Sequence, residues 1–230
     1  MTDKKNVQES MHDEIVIAKV KNFWTKYSNP IMIASAVIIL VVGGWYIYQN
    51  FFKNPKETKA TEIMFKAEEY YRLDSANLAL NGDGQNWGFL KIIDKYGGTK
   101  AGNLANFYAG DCYIKLNENE KALKYLKKFS GDSKPVQARA YKLMADAYAE
   151  LGKNADALNY YKKAAHHFEK DATNSAEYLF YAAYLADRVL KDPKEAIALY
   201  KELKEKFPKT NQGQEADNYL AQLGVYNTEN

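Results

Sequence analysis

The sequence predicts an all-α protein: a single N-terminal transmembrane helix, then an α-solenoid of about three to four helix pairs with a C-terminal capping helix. Three observations predict this fold. A long apolar run lies near the N-terminus, the residues after about position 55 carry few strand signals, and the same residue types recur there at a period near 35. These observations divide the chain into segments 1–28, 29–52 and 53–230.

The apolar run extends from Ile31 to Tyr48 and contains one mildly polar residue, Ser35. A helix of this length spans about 27 Å, close to the ~30 Å thickness of a hydrocarbon core. Asn29 and Pro30 are typical of a helix N-cap and first turn, so we expect the helix to begin there. Aromatic side chains, which membrane–water interfaces favour, lie at both ends of the run: Trp24, Tyr27, Trp45, Tyr46 and Tyr48.

Two other interpretations of this run fit less well. The apolar region of a signal peptide is short and close to the N-terminus, and a small-residue cleavage site follows it. Here 30 residues come first and no A-x-A-like site follows. A buried core helix would show a polar stripe, whereas this segment is apolar on every side. The sequence therefore predicts an uncleaved membrane anchor.

Segment 1–28 carries a weak orientation signal and a second helical pattern. Its five lysines outnumber the three that closely follow the apolar run, which favours a cytoplasmic N-terminus and a C-terminal domain outside the cytoplasm. Val7, Met11, Ile15 and Ala18 are spaced to share one helical face. We interpret this segment either as an interfacial helix lying on the lipid bilayer or as a partly ordered tail.

The remaining segment, 53–230, repeats itself. Tyr148, Ala157 and Tyr161 follow Tyr113, Ala122 and Leu126 by 35 residues, and Ala196 and Tyr200 follow Ala157 and Tyr161 by 39. KIIDKYGGT (91–99) resembles ELKEKFPKT (202–210), 111 residues later, which is close to three repeat lengths. A period near 34–35 is typical of the tetratricopeptide (TPR) repeat, a helix–turn–helix unit.

The residue types at these positions suit antiparallel helix pairs. Gly152 is placed to end a first helix, and Ala157 is placed where two helices approach closely. Asn117 stands at the turn position of the first clear repeat, and Asp187 stands where the third repeat should have its tyrosine. The first pair, about 57–96, is degenerate, with a long loop at 81–88. A helix at about 213–223 is expected to cover the open end of the stack.

No motif in the chain indicates catalysis, a cofactor or a metal. The sequence contains no G-x-S-x-G, H-E-x-x-H or P-loop pattern, and NGDGQN (81–86) lacks the spacing of a calcium loop, so we interpret it as a turn. His166 and His167 point in different directions around a helix. The single cysteine, Cys112, excludes an internal disulfide and is expected to be a buried thiol. An enzyme is therefore disfavoured.

Residues 54–230 carry 26 Lys and Arg against 25 acidic residues, so nucleic acid is not an expected partner. Solenoids of this kind bind through the concave surface formed by the first helix of each repeat. The positions predicted to face outward there are Phe107, Asp111, Lys142, Asp146, Tyr181 and Arg188. They lack the Lys/Asn arrangement that clamps a C-terminal carboxylate, so they predict a groove for extended or helical segments, unless they are only solvated surface.

Three stretches carry a resemblance to a known family: NGDGQNWGFLKIIDKYGGTKAGNLANFYAGDCYIKL (81–116), ENEKALKYLKKF (118–129) and YKLMADAYAELGKNADALNYYKKAA (141–165). With the anchor before them, they resemble the bacterial YfgM-like family of ancillary Sec translocon subunits, in its Bacteroidetes form. The resemblance covers about residues 1–225. It implies an inner-membrane location with the N-terminus in the cytoplasm and a periplasmic TPR-like domain. It also implies association with SecYEG, with a membrane-anchored periplasmic chaperone of the peptidyl-prolyl isomerase type, and with translocating polypeptides.

Four hypotheses about function follow, of which an enzyme is the weakest because no catalytic motif is present. The first is a non-catalytic scaffold at the Sec translocon that binds a chaperone or an emerging polypeptide. The second is a TPR scaffold for cell-envelope assembly or division. The third is an anchored receptor whose domain faces the cytosol. These hypotheses differ in the partners that they predict.

Overall fold

The computed structural model describes the backbone of residues 2–226 and the side chains from residue 17 to residue 226. It contains helices, with no β-strand among the described residues beyond an isolated bridge between Gly82 and Trp87. The chain forms two compact units, Met1–Pro55 and Lys56–Asn230. The predicted all-α fold is confirmed.

The first unit consists of one long helix, α1 (Thr2–Ile47), followed by a π-helical segment, Tyr48–Lys53. Pro30 lies inside α1, so the prediction that a helix begins at Asn29 and Pro30 is wrong. Proline removes one backbone donor, and membrane helices tolerate that loss. The side chains of Val7, Met11 and Ile15, on which the interfacial-helix hypothesis depends, lie outside the described residues.

Among the described residues, one helix is long and apolar enough to cross a membrane, and its most apolar window has a mean hydropathy of 2.2. No residue in that window is buried inside the protein, which argues against a core helix. Side chains such as Ile39 and Leu40 are 69% and 75% exposed. A lipid environment would cover this surface.

The second unit is a stack of antiparallel helix pairs. The first pair is α2 (Asn54–Arg72) and α4 (Phe89–Tyr96), with a short helix α3 (Ala76–Asn81) between them. Three further pairs follow: α5 (Lys100–Lys115) with α6 (Asn119–Leu126), α7 (Lys134–Glu150) with α8 (Asn154–His167), and α9 (Ala172–Tyr184) with α10 (Pro193–Lys206). The last helix, α11 (Asn211–Gln222), packs on α9 and α10 and is the predicted cap.

Small residues set the close approach within each pair. Ala122, Ala157 and Ala196 are fully buried at equivalent positions of α6, α8 and α10, as the repeat pattern predicts. On the facing helix α5, a Cβ added to Gly110 would lie 2.4 Å from Leu126 Cγ. A larger side chain at any of these positions would force the two helices apart.

The turn between the two helices of a pair uses a left-handed backbone conformation each time. Gly152 has φ +70°, and Asn117 and Lys191 occupy the same position with φ 58° and 54°. Asparagine tolerates this conformation better than most residues, which explains the substitution at position 117. Lysine has no such advantage, and its presence marks the third turn as strained.

The similarity between segments 91–99 and 202–210 corresponds to a shared capping structure. Thr99 Oγ1 accepts a hydrogen bond from the Gly102 backbone N–H, and Thr210 Oγ1 accepts one from Gly213. Added Cβ atoms on the two glycines would lie 2.0 Å from the carbonyl oxygens of Tyr96 and Phe207, respectively. Helices α5 and α11 therefore begin in the same way, with the chain folded tightly against the first turn.

The pair α9–α10 differs from the pair α7–α8 because a π-helical segment, Leu185–Val189, follows α9. Burial in α9 and at the start of this segment matches that in α7 at an offset of 38, since Ala138, Met144 and Tyr148 correspond to buried Ala176, Ala182 and Ala186. At the following turn the offset is 39, because the π-helix accommodates one extra residue. The prediction that Asp187 occupies the tyrosine position is therefore wrong by one residue.

Candidate functional site

A cleft of about 680 Å³ opens on the surface formed by α2, α5, α7 and α9, the first helices of the four pairs. Its lining is mainly aromatic and aliphatic, with a few charged and polar side chains. The residues that line it are Tyr71, Leu104, Phe107, Tyr108, Pro135, Val136, Arg139, Lys142, Leu143, Asn174, Glu177 and Tyr178. This is the concave surface that the repeat architecture predicts.

The repeat period explains why these side chains converge. Leu104, Phe107 and Tyr108 share one face of α5 because residues three and four apart lie together on a helix. The residues 35 positions later on α7 are Arg139, Lys142 and Leu143, and they line the cleft too. The first pair contributes Tyr71, near the end of α2. The chemistry changes from aromatic on α5 to cationic on α7.

A hydrogen-bonded triad joins three of the first helices. The Tyr71 hydroxyl donates to Asp111 Oδ2 over 2.5 Å, and Arg139 Nη2 donates to the same oxygen over 3.1 Å. The side chain of Asp111 is only 7% exposed, so its charge is compensated by these two donors. Burial, followed by the bond to Asp111, raises the pKa of Tyr71, so this donor stays protonated even in alkaline solution.

A second set of bonds lies one turn further along α7. Lys142 Nζ lies 2.8 Å from Asp146 Oδ2 and above the ring of Tyr181, 5.5 Å from its centroid. Asp146 Oδ1 accepts a hydrogen bond from the Tyr161 hydroxyl over 2.7 Å. The Tyr181 hydroxyl donates to Glu177 over 2.7 Å. That bond, followed by burial, raises the pKa of Tyr181 to about 12.

The six predicted groove residues fall into three groups. Phe107 and Lys142 line the cleft. Asp111, Asp146 and Tyr181 bond or contact residues that line it. Arg188 does not line the cleft, since it lies on the π-helical segment and bonds to Gln222 of α11 and to Asp187.

Three of these six predicted positions need correction. Phe107 and Asp111 are each 5% exposed, so they are largely buried rather than outward-facing. Because α5 packs on α3, α4, α6 and α7, little of its surface remains open. Arg188 was expected on the concave face, but α9 ends at Tyr184 and Arg188 lies in the π-helical segment that follows it.

Sequence reasoning missed Tyr71 and Arg139. Tyr71 belongs to the degenerate first pair, for which no register could be assigned. Arg139 lies three residues before Lys142 and 35 after Leu104, so the helical period contains the signal. The triad with Asp111 is a contact between repeats, and spacing within a single repeat does not reveal it.

The chain offers one group of side chains with metal-ligand geometry among the described residues: His166, Glu169 and Glu202. His166 Nε2 lies 2.8 Å from Glu202, and Lys206 Nζ bonds to both Glu169 and Glu202 over 2.8 and 3.0 Å. The lysine ammonium already supplies positive charge between the two carboxylates. The group therefore forms an ion-pair network that joins α8 to α10.

Two other predicted features have the expected structure. Asp83 in NGDGQN accepts hydrogen bonds from the backbone of Gln85 and Asn86 and from the Tyr70 hydroxyl, so the segment is a turn that uses its own carboxylate. These bonds, led by that of Tyr70, hold the pKa of Asp83 well below its usual range. Cys112 is fully buried, and burial raises its pKa to about 12, as for an unreactive thiol.

The fold and the cleft define a class: stacked helix pairs whose first helices form a concave surface, as in modules that bind other proteins. A family model described as tetratricopeptide repeat-like domain matches residues 21–140, and a second, described as tetratricopeptide repeat, matches residues 177–210. The first covers more than half of the chain, and the chain belongs to the tetratricopeptide repeat-like domain family. No curated protein matches it.

Proposed function

We propose that this protein is a non-catalytic, membrane-anchored TPR scaffold whose cleft binds polypeptide segments of partner proteins. The observation that carries this proposal is the convergence of four first helices on one open cleft that combines aromatic and aliphatic side chains with charged ones. Aromatic side chains provide large contact areas at small cost in conformational entropy, which suits protein recognition. Membership in the repeat family supports a role in protein–protein interaction.

The proposed location is the bacterial inner membrane, in single-pass form with the N-terminus in the cytoplasm and the C-terminal domain in the periplasm. The exposed apolar surface of α1 supports anchoring. The lysine bias and the resemblance to YfgM-like proteins support the orientation. We assign residues 1–28 to the cytoplasmic segment, 29–52 to the membrane helix and 53–230 to the periplasmic domain.

The proposed partners are SecYEG, a membrane-anchored periplasmic chaperone of the peptidyl-prolyl isomerase type, and polypeptides that leave the translocon. Support for these partners comes from the resemblance. Anchoring raises the effective concentration of the cleft at the membrane surface, so weak binding to each segment is sufficient. The alternative is a scaffold for cell-envelope assembly or division.

The first experiment is purification of the tagged full chain from gently solubilised membranes, with mass spectrometry of the proteins that accompany it. Recovery of SecY and a periplasmic isomerase-type chaperone is the expected result. Recovery of division or outer-membrane assembly proteins, with SecY no higher than in an untagged control, would replace the Sec assignment by the alternative.

A second experiment tests the cleft itself. A photo-crosslinking amino acid replaces Asn174, an exposed residue that lines the cleft, or Lys124, an exposed residue of α6 outside the cleft lining. Irradiation of intact membranes is expected to give polypeptide adducts from position 174 that position 124 does not give. Equal adducts from both positions would show that the cleft is not the binding surface.

A further inference from the structure

The charged side chains at the cleft differ in how far they reach solvent. The Arg139 side chain is 55% exposed, whereas the Asp111 carboxylate that holds it is 7% exposed. Lys142 and its partner Asp146 are 26% and 22% exposed, respectively. Of these four charged groups, the guanidinium of Arg139 is therefore the most accessible to an incoming chain.

The structure holds this guanidinium in place. Arg139 Nη2 bonds to Asp111, and the group lies over the Phe107 ring, 5.8 Å from its centroid. Asp111 is itself fixed from the opposite helix by Tyr71. A guanidinium has five N–H donors, and this contact uses one nitrogen, so others remain for a ligand. Holding the group in advance reduces the entropy lost when it binds.

Apolar side chains surround the guanidinium. Leu104 and Val136 lie in the same cleft, and Tyr71 and Tyr108 form an aromatic pair with ring centroids 4.9 Å apart. Glu177, the acidic residue of the lining, accepts a hydrogen bond from Tyr181. The cleft thus combines a fixed, accessible cation with apolar pockets within reach of one short segment.

We propose that the cleft selects polypeptide segments in which an acidic side chain adjoins bulky apolar residues, and that Arg139 is the specificity-determining residue. This proposal rests on the proposed function and specifies the segments that the scaffold binds. A carboxylate matches the fork of a guanidinium with two parallel hydrogen bonds. A basic side chain at the same place would face a like charge.

The test uses fluorescently labelled, C-terminally amidated eight-residue peptides with a central Glu between Leu and Phe, and matched peptides with Gln or Lys at the centre. Fluorescence polarisation measures their binding to the full chain in detergent micelles. We expect the Glu peptide to bind about tenfold or more tightly than the Gln peptide, as for a charge-assisted hydrogen bond. The Lys peptide should bind most weakly.

Three variants make the result interpretable. Arg139→Gln should abolish the preference for Glu over Gln while leaving apolar binding, whereas Lys163→Gln, on the exposed surface of α8, should leave it unchanged. Asn174→Trp fills part of the cleft and should weaken all the peptides. Circular dichroism melting of each variant checks that the fold is retained.

The outcomes separate this inference from the proposed function. Equal binding of the Glu and Gln peptides, weakened by Asn174→Trp, would overturn the acidic preference and leave the cleft as a polypeptide-binding surface. If no peptide binds while position 174 still crosslinks polypeptides in membranes, the acidic preference is also overturned and the cleft remains a polypeptide-binding surface. Binding that appears only with a free C-terminal carboxylate would assign Arg139 to chain ends and overturn the side-chain assignment.

Discussion

The second and third clear helix pairs, α7–α8 and α9–α10, place a tyrosine at the same position and treat its hydroxyl differently. Tyr161 of α8 donates to Asp146 over 2.7 Å. Tyr200 of α10, 39 residues later, is fully buried, and its hydroxyl has no hydrogen-bond partner among the described residues. The counterpart of Asp146 at the 38-residue offset is Tyr184, which is 46% exposed.

This difference shows which part of the side chain the repeat requires. Tyr200 packs parallel to Tyr219 of α11, with ring centroids 5.0 Å apart, and it also contacts Phe180. The ring fills the space between the third pair and the cap, while the hydroxyl contributes no described bond. Volume is therefore the requirement common to both pairs. The bond to an acidic residue is particular to the second pair, next to the cleft.

The largest expected effect is a loss of stability at alkaline pH, to which both tyrosines contribute. Burial is the leading cause that raises the pKa of both Tyr161 and Tyr200, and nearby Asp146 and Asp187, respectively, add to it. An unfolded tyrosine ionises near pH 10. A raised folded-state pKa gives stability that is fully present below about pH 10 and is lost as the pH rises toward the folded value. In that pH range, each of the two tyrosines lowers the free energy of unfolding by up to about 1.4 kcal/mol per pH unit.

Thermal unfolding of the full chain in detergent, followed by circular dichroism at pH 8, 10 and 11, measures this loss. Tyr161→Phe and Tyr200→Phe should each reduce the decrease in melting temperature between pH 10 and pH 11. Tyr226→Phe is the control, since Tyr226 is 72% exposed. An equal decrease in all four proteins would mean that these two buried tyrosines do not control the alkaline response.

At neutral pH, the same two variants should change the stability of the fold in different directions. Tyr161→Phe removes a donor from Asp146 and should destabilise the fold by about 1 kcal/mol. Tyr200→Phe removes a buried hydroxyl without a described partner and should leave stability unchanged or raise it by about 1 kcal/mol. Melting temperatures at pH 7.5 measure both. A comparable loss in Tyr200→Phe would show that its hydroxyl has a bonding partner.

The sequence predicted the parts of the fold that depend on spacing. The positions of Ala122, Ala157 and Ala196, the cap at about 213–223 and the turn residue Asn117 follow from a period that the residues display. The π-helical segment was not predicted, because one residue inserted into a helix leaves the apolar pattern nearly unchanged and appears only as an offset of 39. Asp187 was therefore misassigned and Arg188 was placed on the cleft.

The cleft was predicted in position and only partly in composition. Spacing along α5 and α7 was enough to find Phe107 and Lys142. The bonds that fix Arg139 join Tyr71, Asp111 and Arg139 across 68 positions of sequence from three different repeats, and no local pattern requires them. Pro30 was also misassigned, because proline is typical of the first turn of a helix, whereas α1 continues through it.

The smallest expected effect concerns the turns that join the two helices of each pair. Gly152 adopts φ +70° without steric cost, whereas Lys191 adopts φ 54° with a side chain that disfavours it. Lys191→Gly should raise stability by up to about 1 kcal/mol, and Gly152→Ala should lower it by about 1 kcal/mol. Both are measured as melting temperatures of the full chain. Asp192, which caps α10 through the Glu195 backbone N–H, is unchanged in either variant. If Lys191→Gly instead lowers stability, the entropy that glycine adds to the unfolded chain outweighs the relief of backbone strain at this turn.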